Sequence, residues 1–124
     1  WWCFRLFGIV LVDDEEFFID EIKNMMRHNQ AYRILAHCSD GIAALKAIED
    51  LDPDLLIADI LMPGMSGLEL ARDIKLKNPN LPIVLMSDNP SYAVNSYEIG
   101  ISGFLLKPLA EDKVFETLRR LLRD

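Results

Sequence analysis

Hydrophobic and polar positions come in blocks along this chain. Ile9-Val10-Leu11-Val12, Leu55-Leu56-Ile57-Ala58 and Ile83-Val84-Leu85-Met86 are short, wholly apolar runs. Such runs read as strands buried on both faces of a parallel sheet. Tyr32 to Ala36 reads as a more mixed strand, suited to a sheet edge, and Gly103 to Leu106 as a fifth strand. The segments between them change to a helical period. Phe18, Ile22 and Met25 recur at i, i+4 and i+7 in a helix over residues 16–27, opened by the acids Asp14, Glu15 and Glu16, which suit a helix N-terminus. Ala44, Leu45, Ile48 and Leu51 mark a second helix, stopped by Asp52-Pro53. Ser66 and Glu69 predict a capping box ahead of a third helix, which carries Leu70, Ala71 and Ile74 and ends at Asn78-Pro79-Asn80. A short fourth helix follows Pro90-Ser91 and runs through Tyr97. Val114, Leu118, Leu121 and Leu122 define the buried face of a fifth.

Strands alternating with helices in this way predict an α/β fold, a parallel sheet with helices on both faces. In open sheets of that kind, ligands bind outside the carboxyl ends of the strands. Here the first strand runs into Asp13-Asp14, the third into Asp59, the fourth into Ser87 and the fifth into Lys107. The pattern therefore gathers three carboxylates, a hydroxyl and an ammonium at one edge. Carboxylates that close repel one another unless a cation intervenes. Hard oxygen ligands suit Mg²⁺, which takes one or two carboxylates together with waters and phosphate oxygens. Lys107 adds a positive charge for a phosphoryl group, and Ser87 can donate to a phosphate oxygen. The set fits phosphoryl transfer to an aspartate nucleophile.

Composition narrows the choice of partner. The chain has 124 residues, room for one domain, and 51% of them are hydrophobic, as a globular core requires. Asp and Glu number 20 against 13 Lys and Arg, a net charge of −7. That balance argues against direct nucleic-acid binding, which needs a basic patch. No apolar stretch approaches the ~18 residues of a membrane span. The two cysteines, Cys3 and Cys38, form no disulfide framework and no metal spacing, which fits a reduced, cytoplasmic protein. The chain opens Trp1-Trp2-Cys3-Phe4 without an initiator Met, so residues 1–6 are read as an unstructured or foreign extension and 7–124 as the domain.

Val12-Asp13-Asp14-Glu15, Asp59-Ile60-Leu61-Met62-Pro63-Gly64-Met65-Ser66-Gly67, Ser87 and Leu106-Lys107-Pro108 together resemble the receiver domain of bacterial two-component response regulators. The resemblance implies a flavodoxin-like (βα)5 fold, a doubly wound parallel sheet of five strands in the order 2-1-3-4-5. It implies that Asp59 accepts a phosphoryl group from a sensor histidine kinase in a reaction dependent on Mg²⁺ or Mn²⁺. Asp14 would be a direct metal ligand, Asp13 would support the metal, often through water, and Leu61 would contribute its backbone carbonyl. Ser87 would be the switch hydroxyl, Lys107 the partner of the phosphate, Lys107-Pro108 a cis peptide, and Phe104 the switch aromatic. Phosphorylation would then change the surface of the fourth helix, fifth strand and fifth helix. That surface is a candidate homodimer interface or docking site for a C-terminal DNA-binding output domain outside this chain. The domain would catalyse only its own phosphorylation and dephosphorylation.

Two departures from the family pattern stand out. Asp88 follows Ser87 where receivers usually have a small residue, so its charge is expected to slow phosphorylation or change the lifetime of the phosphorylated state; Met62 and Asn89 are further candidate modulators. The spacing from Ser87 to Lys107 is contracted relative to many receivers and resembles those joined to LytTR-type DNA-binding domains. Two rival readings differ in class. A phosphohydrolase with an aspartate nucleophile usually carries a second Asp two positions on, where this chain has Leu61. A pseudo-receiver would act as an interaction module without regulation by phosphorylation.

Overall fold

The apolar runs form five parallel strands: β1 (Phe7–Val12), β2 (Tyr32–Cys38), β3 (Leu55–Asp59), β4 (Ile83–Ser87) and β5 (Gly103–Leu106). Their spatial order is β2-β1-β3-β4-β5, so the expected order of strands holds and β2 does lie at an edge. The structure, a computed structural model, describes residues 5–123. Trp1 and Cys3, in the expected extension, lie outside the described residues. Arg5, also in that stretch, pairs with Asp54 at 2.6 Å, and the second Asp54 oxygen accepts the Gly8 N–H at 2.8 Å.

Five helices connect the strands: α1 (Glu16–Arg27), α2 (Gly41–Leu51), α3 (Gly67–Lys77), α4 (Tyr92–Ile99) and α5 (Glu111–Leu121). Successive residues of a strand point to opposite faces. Phe7, Ile9 and Leu11 of β1 accordingly enter a core shared with Ile22 of α1 and Val114 and Leu118 of α5. Val10 and Val12 enter a second core with Ala44, Leu70 and Ile74. Every residue of β1, β3 and β4 is buried, which leaves polar side chains no place on these strands except the ends.

The caps follow the local sequence. Asp40 accepts the Ala43 N–H at 2.8 Å at the start of α2, and Ser66 Oγ accepts the Glu69 N–H at 3.2 Å at the start of α3, the N-cap half of the expected box. Gly100, at φ 99°, caps α4 after Ile99, so the helix ends two residues beyond the expected Tyr97. The face of α1 is also rotated from its expected phase. Ile19, Ile22 and Met26 are buried, whereas Phe18 and Met25 are half-buried. No helix among the described residues is long and apolar enough to cross a membrane.

The start of α3 is pressed against the end of β3. The Gly67 N–H donates to the Ile60 carbonyl at 2.8 Å. A Cβ at Gly67 would collide with the Asp59 carbonyl oxygen and lie 2.9 Å from Ile60 Cα, both backbone atoms that cannot rotate away. Gly67→Ala is therefore expected to lower stability by about 2 kcal/mol, or roughly 5–10 °C in Tm, measured by thermal unfolding. An unchanged Tm would show that α3 is free to shift.

Candidate functional site

The carboxyl ends of β1, β3 and β5 converge on one cleft of about 300 Å³, lined by Asp14, Glu15, Phe18, Asp59, Leu61, Asp88 and Lys107. It lies beside the point where strand order reverses, between β1 and β3, as expected for a sheet wound this way. Asp13, Asp59, Ser87 and Lys107 are all buried, while Asp14 and Asp88 are exposed.

Lys107 links the strand ends. Its Nζ donates to Asp13 Oδ2 at 2.9 Å and lies 3.3 Å from Asp59 Oδ2. The other Asp13 oxygen accepts the Glu15 N–H at 2.9 Å, so both Asp13 oxygens are occupied by the protein itself. Burial, then the Asp13 carboxylate, pushes the Asp59 carboxyl from 3.8 up to about 6; Lys107 pulls it back and Asp14 adds to the rise. Burial also disfavours the Lys107 ammonium, but its bonds to Asp13 and Asp59 outweigh that and hold its pKa above the ordinary lysine value. One ammonium does not compensate the acids around it.

Asp13, Asp14, Glu15 and Asp59 each place a carboxylate oxygen so that all four atoms lie within 4.8 Å of one another. This is an all-oxygen donor set with excess negative charge, chemistry that fits a hard divalent cation. Glu15 was not among the metal ligands read from the sequence. Leu61 is exposed on the rim, two residues beyond Asp59 in the loop that follows β3.

Ser87 Oγ accepts the Asn89 N–H at 3.0 Å, and the Ser87 carbonyl accepts the Lys107 N–H at 2.8 Å. Asn89 is exposed, and its Oδ1 accepts the Ser91 N–H at 3.0 Å. Met62 is half-buried against the second core, as is Phe104. Lys107-Pro108 is cis. Asp88 lies on the cleft wall rather than away from it.

Sequence reasoning missed Phe18. The Lys107 ammonium sits over its ring, 3.7 Å from the centroid. The signal available was the Phe17-Phe18 pair in the first turn of the helix after the acid pair, read instead as core.

Residues 9–119 match the profile of the response regulator receiver domain. The chain is 36% identical over 118 residues to a response regulatory protein of Yersinia pestis whose role is uncharacterized, a match covering 94% of this chain and 48% of that protein. It is 30% identical to the transcriptional regulatory protein DegU of Brevibacillus brevis, over 90% of this chain and 48% of DegU. The chain thus spans about half the length of these curated relatives. The chemotaxis protein CheY of Listeria monocytogenes is also 30% identical, over 90% of this chain, and is matched across 95% of its own length. Among solved structures, a LuxR-family DNA-binding response regulator of Staphylococcus aureus superimposes with a TM-score of 0.84 at 25% identity, covering 94% of this chain and 98% of that one. The isolated REC domain of RcsB from Salmonella enterica, solved with the phosphomimetic BeF3-, gives 0.80 at 23% identity, over 96% of this chain and all of its own. The profile match over most of the chain and the shared fold make this chain a member of the response regulator receiver domain family.

Proposed function

We propose that this domain is the phosphoacceptor switch of a two-component pathway, charged on Asp59 by a sensor histidine kinase. The observation that carries the reading is the placement of Asp59. It is a buried carboxylate facing a cleft, 3.3 Å from the only buried ammonium among the described residues and surrounded by oxygen donors. An Asp59 oxygen attacks the phosphorus of a phosphohistidine; the new O–P bond forms as the N–P bond breaks, and the electron pair leaves on the imidazole nitrogen. Lys107 meets the negative charge that spreads over the phosphoryl oxygens. Asp14, Asp59 and the Leu61 carbonyl would hold Mg²⁺ or Mn²⁺, with Asp13 behind them; the cation supplies the neutralisation that lets an anion approach three acids. Asp13, its oxygens already engaged, acts through water and by holding Lys107.

The output follows from the neighbours of Asp59. Ser87 turns its hydroxyl proton toward the phosphoryl group, and Phe104, half-buried one strand away, repacks as the loop after β4 moves. The surface of α4, β5 and α5 then changes for its partner, a second copy or a DNA-binding output domain on a longer chain. The reading is of a cytoplasmic protein, in which Cys38 is a free thiol. Asp88 on the cleft wall slows the entry of anionic donors.

Intact mass after exposure to acetyl phosphate and Mg²⁺ is expected to rise by one phosphoryl group, and Asp59→Asn is expected to abolish the gain. The same gain in both proteins would refute Asp59 as acceptor. Asp88→Ala is expected to speed this labelling about threefold by removing one charge some ångströms from the incoming anion; an unchanged rate would remove Asp88 from the mechanism.

Charge crowding also has a pH signature. Because the Asp59 pKa is raised to about 6 in the fold, its ionisation opposes folding. The penalty is absent below about pH 4, grows as pH rises toward 6 and is complete above. In EDTA at pH 7.5, Asp59→Asn is expected to be more stable than the parent by about 2 kcal/mol, with the difference vanishing near pH 4. Saturating Mg²⁺ is expected to stabilise the parent more than the variant. Thermal unfolding at the two pH values reads both effects, and a less stable variant at pH 7.5 would contradict them.

A further inference from the structure

The Lys107 ammonium has three N–H donors and strong acceptors for two of them, Asp13 at 2.9 Å and Asp59 at 3.3 Å. Its third side faces the Phe18 ring, with Nζ 3.7 Å from the centroid. That distance is well inside the ~6 Å reach of a cation–π contact, in which the negative face of the ring attracts the cation. Phe18 is half-buried at the wall of the cleft, where the ammonium is largely desolvated. Exposed Phe17 packs edge-on to Phe18, centroids 5.1 Å apart and planes at 85°, which holds the ring in that orientation from the solvent side.

We propose that Phe18 is a positioning residue for Lys107, its ring face fixing the ammonium against Asp59 and closing the remaining side of that ammonium to water. The inference rests on the phosphoacceptor reading above. An aliphatic side chain of similar volume would fill the same space without attracting the cation. Phe18 therefore differs from a core phenylalanine in a testable way: its contribution follows the electron density of the ring rather than its size.

The test replaces Phe18 by 4-fluoro- and 3,4,5-trifluorophenylalanine, which keep its shape while draining the ring face. Labelling by acetyl phosphate at saturating Mg²⁺ is expected to slow progressively, by about two- to fivefold for the trifluoro ring, with Tm lowered by no more than about 5 °C and the fold retained. Phe18→Leu is expected to slow it about five- to tenfold, and Phe18→Tyr to restore it within about twofold. Independently of phosphorylation, NMR of the metal-free protein should show the Lys107 ε-methylene protons shifted upfield by the ring, and Phe18→Leu should remove that shift. A rate indifferent to fluorination, or an absent upfield shift, would overturn the positioning role while leaving Asp59 as acceptor. Failure of the parent chain itself to be labelled on Asp59 would overturn both readings.

Discussion

The contact between Lys107 and the carboxylates of Asp13 and Asp59 is the constraint on which the site depends. Ninety-four positions separate Lys107 from Asp13 in the chain, and their side chains meet at 2.9 Å where β5 and β1 end. Taking such charges out of water costs several kcal/mol per ion, which attraction recovers only with good geometry and further hydrogen bonds. Asp13 has both, through Lys107 and the Glu15 N–H. Asp59 has less: its other neighbours include Asp13 and Asp14, and its carboxyl is pushed up to about 6. The arrangement therefore holds Asp13 and Lys107 as a settled pair and leaves Asp59 as the member with unsatisfied charge, the one best able to take a cation or form a bond.

The rest of the fold supports this asymmetry. A sheet buried on both faces excludes polar side chains from its interior, so charge accumulates at the strand ends. The order β2-β1-β3-β4-β5 places the ends of β1 and β3 side by side. Gly67 then brings α3 into backbone contact with Asp59 and Ile60, which fixes the end of β3 from the far side. Loss of that contact would move the Asp59 carboxylate without removing any charged group.

Much of this was legible in the sequence because strands and site obey the same rule. Wholly apolar runs mark β1, β3 and β4, and the first polar residue after each run marks the site. Helix boundaries were legible too, at the Ser66 cap and the Asp52-Pro53 stop. Phase within α1 was not. A period of 3.6 residues fits Phe18-Ile22-Met25 as well as Ile19-Ile22-Met26, and only packing decides between them. The ring of Phe18 faces the Lys107 ammonium, a partner 89 positions away that no local pattern reveals. The end of α4 was obscured for a different reason: Val94 and Tyr97 are exposed and Ser96 is buried, its hydroxyl donating to the Tyr92 carbonyl at 2.7 Å, so the helix lacks an apolar stripe.

The switch proposed above needs a route from the charged site to a surface, and the hydrogen bonds on either side of β4 offer a short one. Asp59 pairs with Met86 in the β3–β4 register, and the Ile60 N–H donates to the Met86 carbonyl at 2.9 Å. One residue on, the Ser87 carbonyl accepts the Lys107 N–H at 2.8 Å. Met86 and Ser87 are thus held between the strand that ends in Asp59 and the strand that runs into Lys107. Any event that draws Lys107 and the Ser87 hydroxyl toward Asp59 acts on adjacent residues of β4, one bonded to the β3 side and the other to the β5 side. The interior beside them is close-packed and deforms little. The loop that follows Ser87 is exposed at residues 88–91, so under the proposed function it is the segment free to take up a displacement at the start of α4.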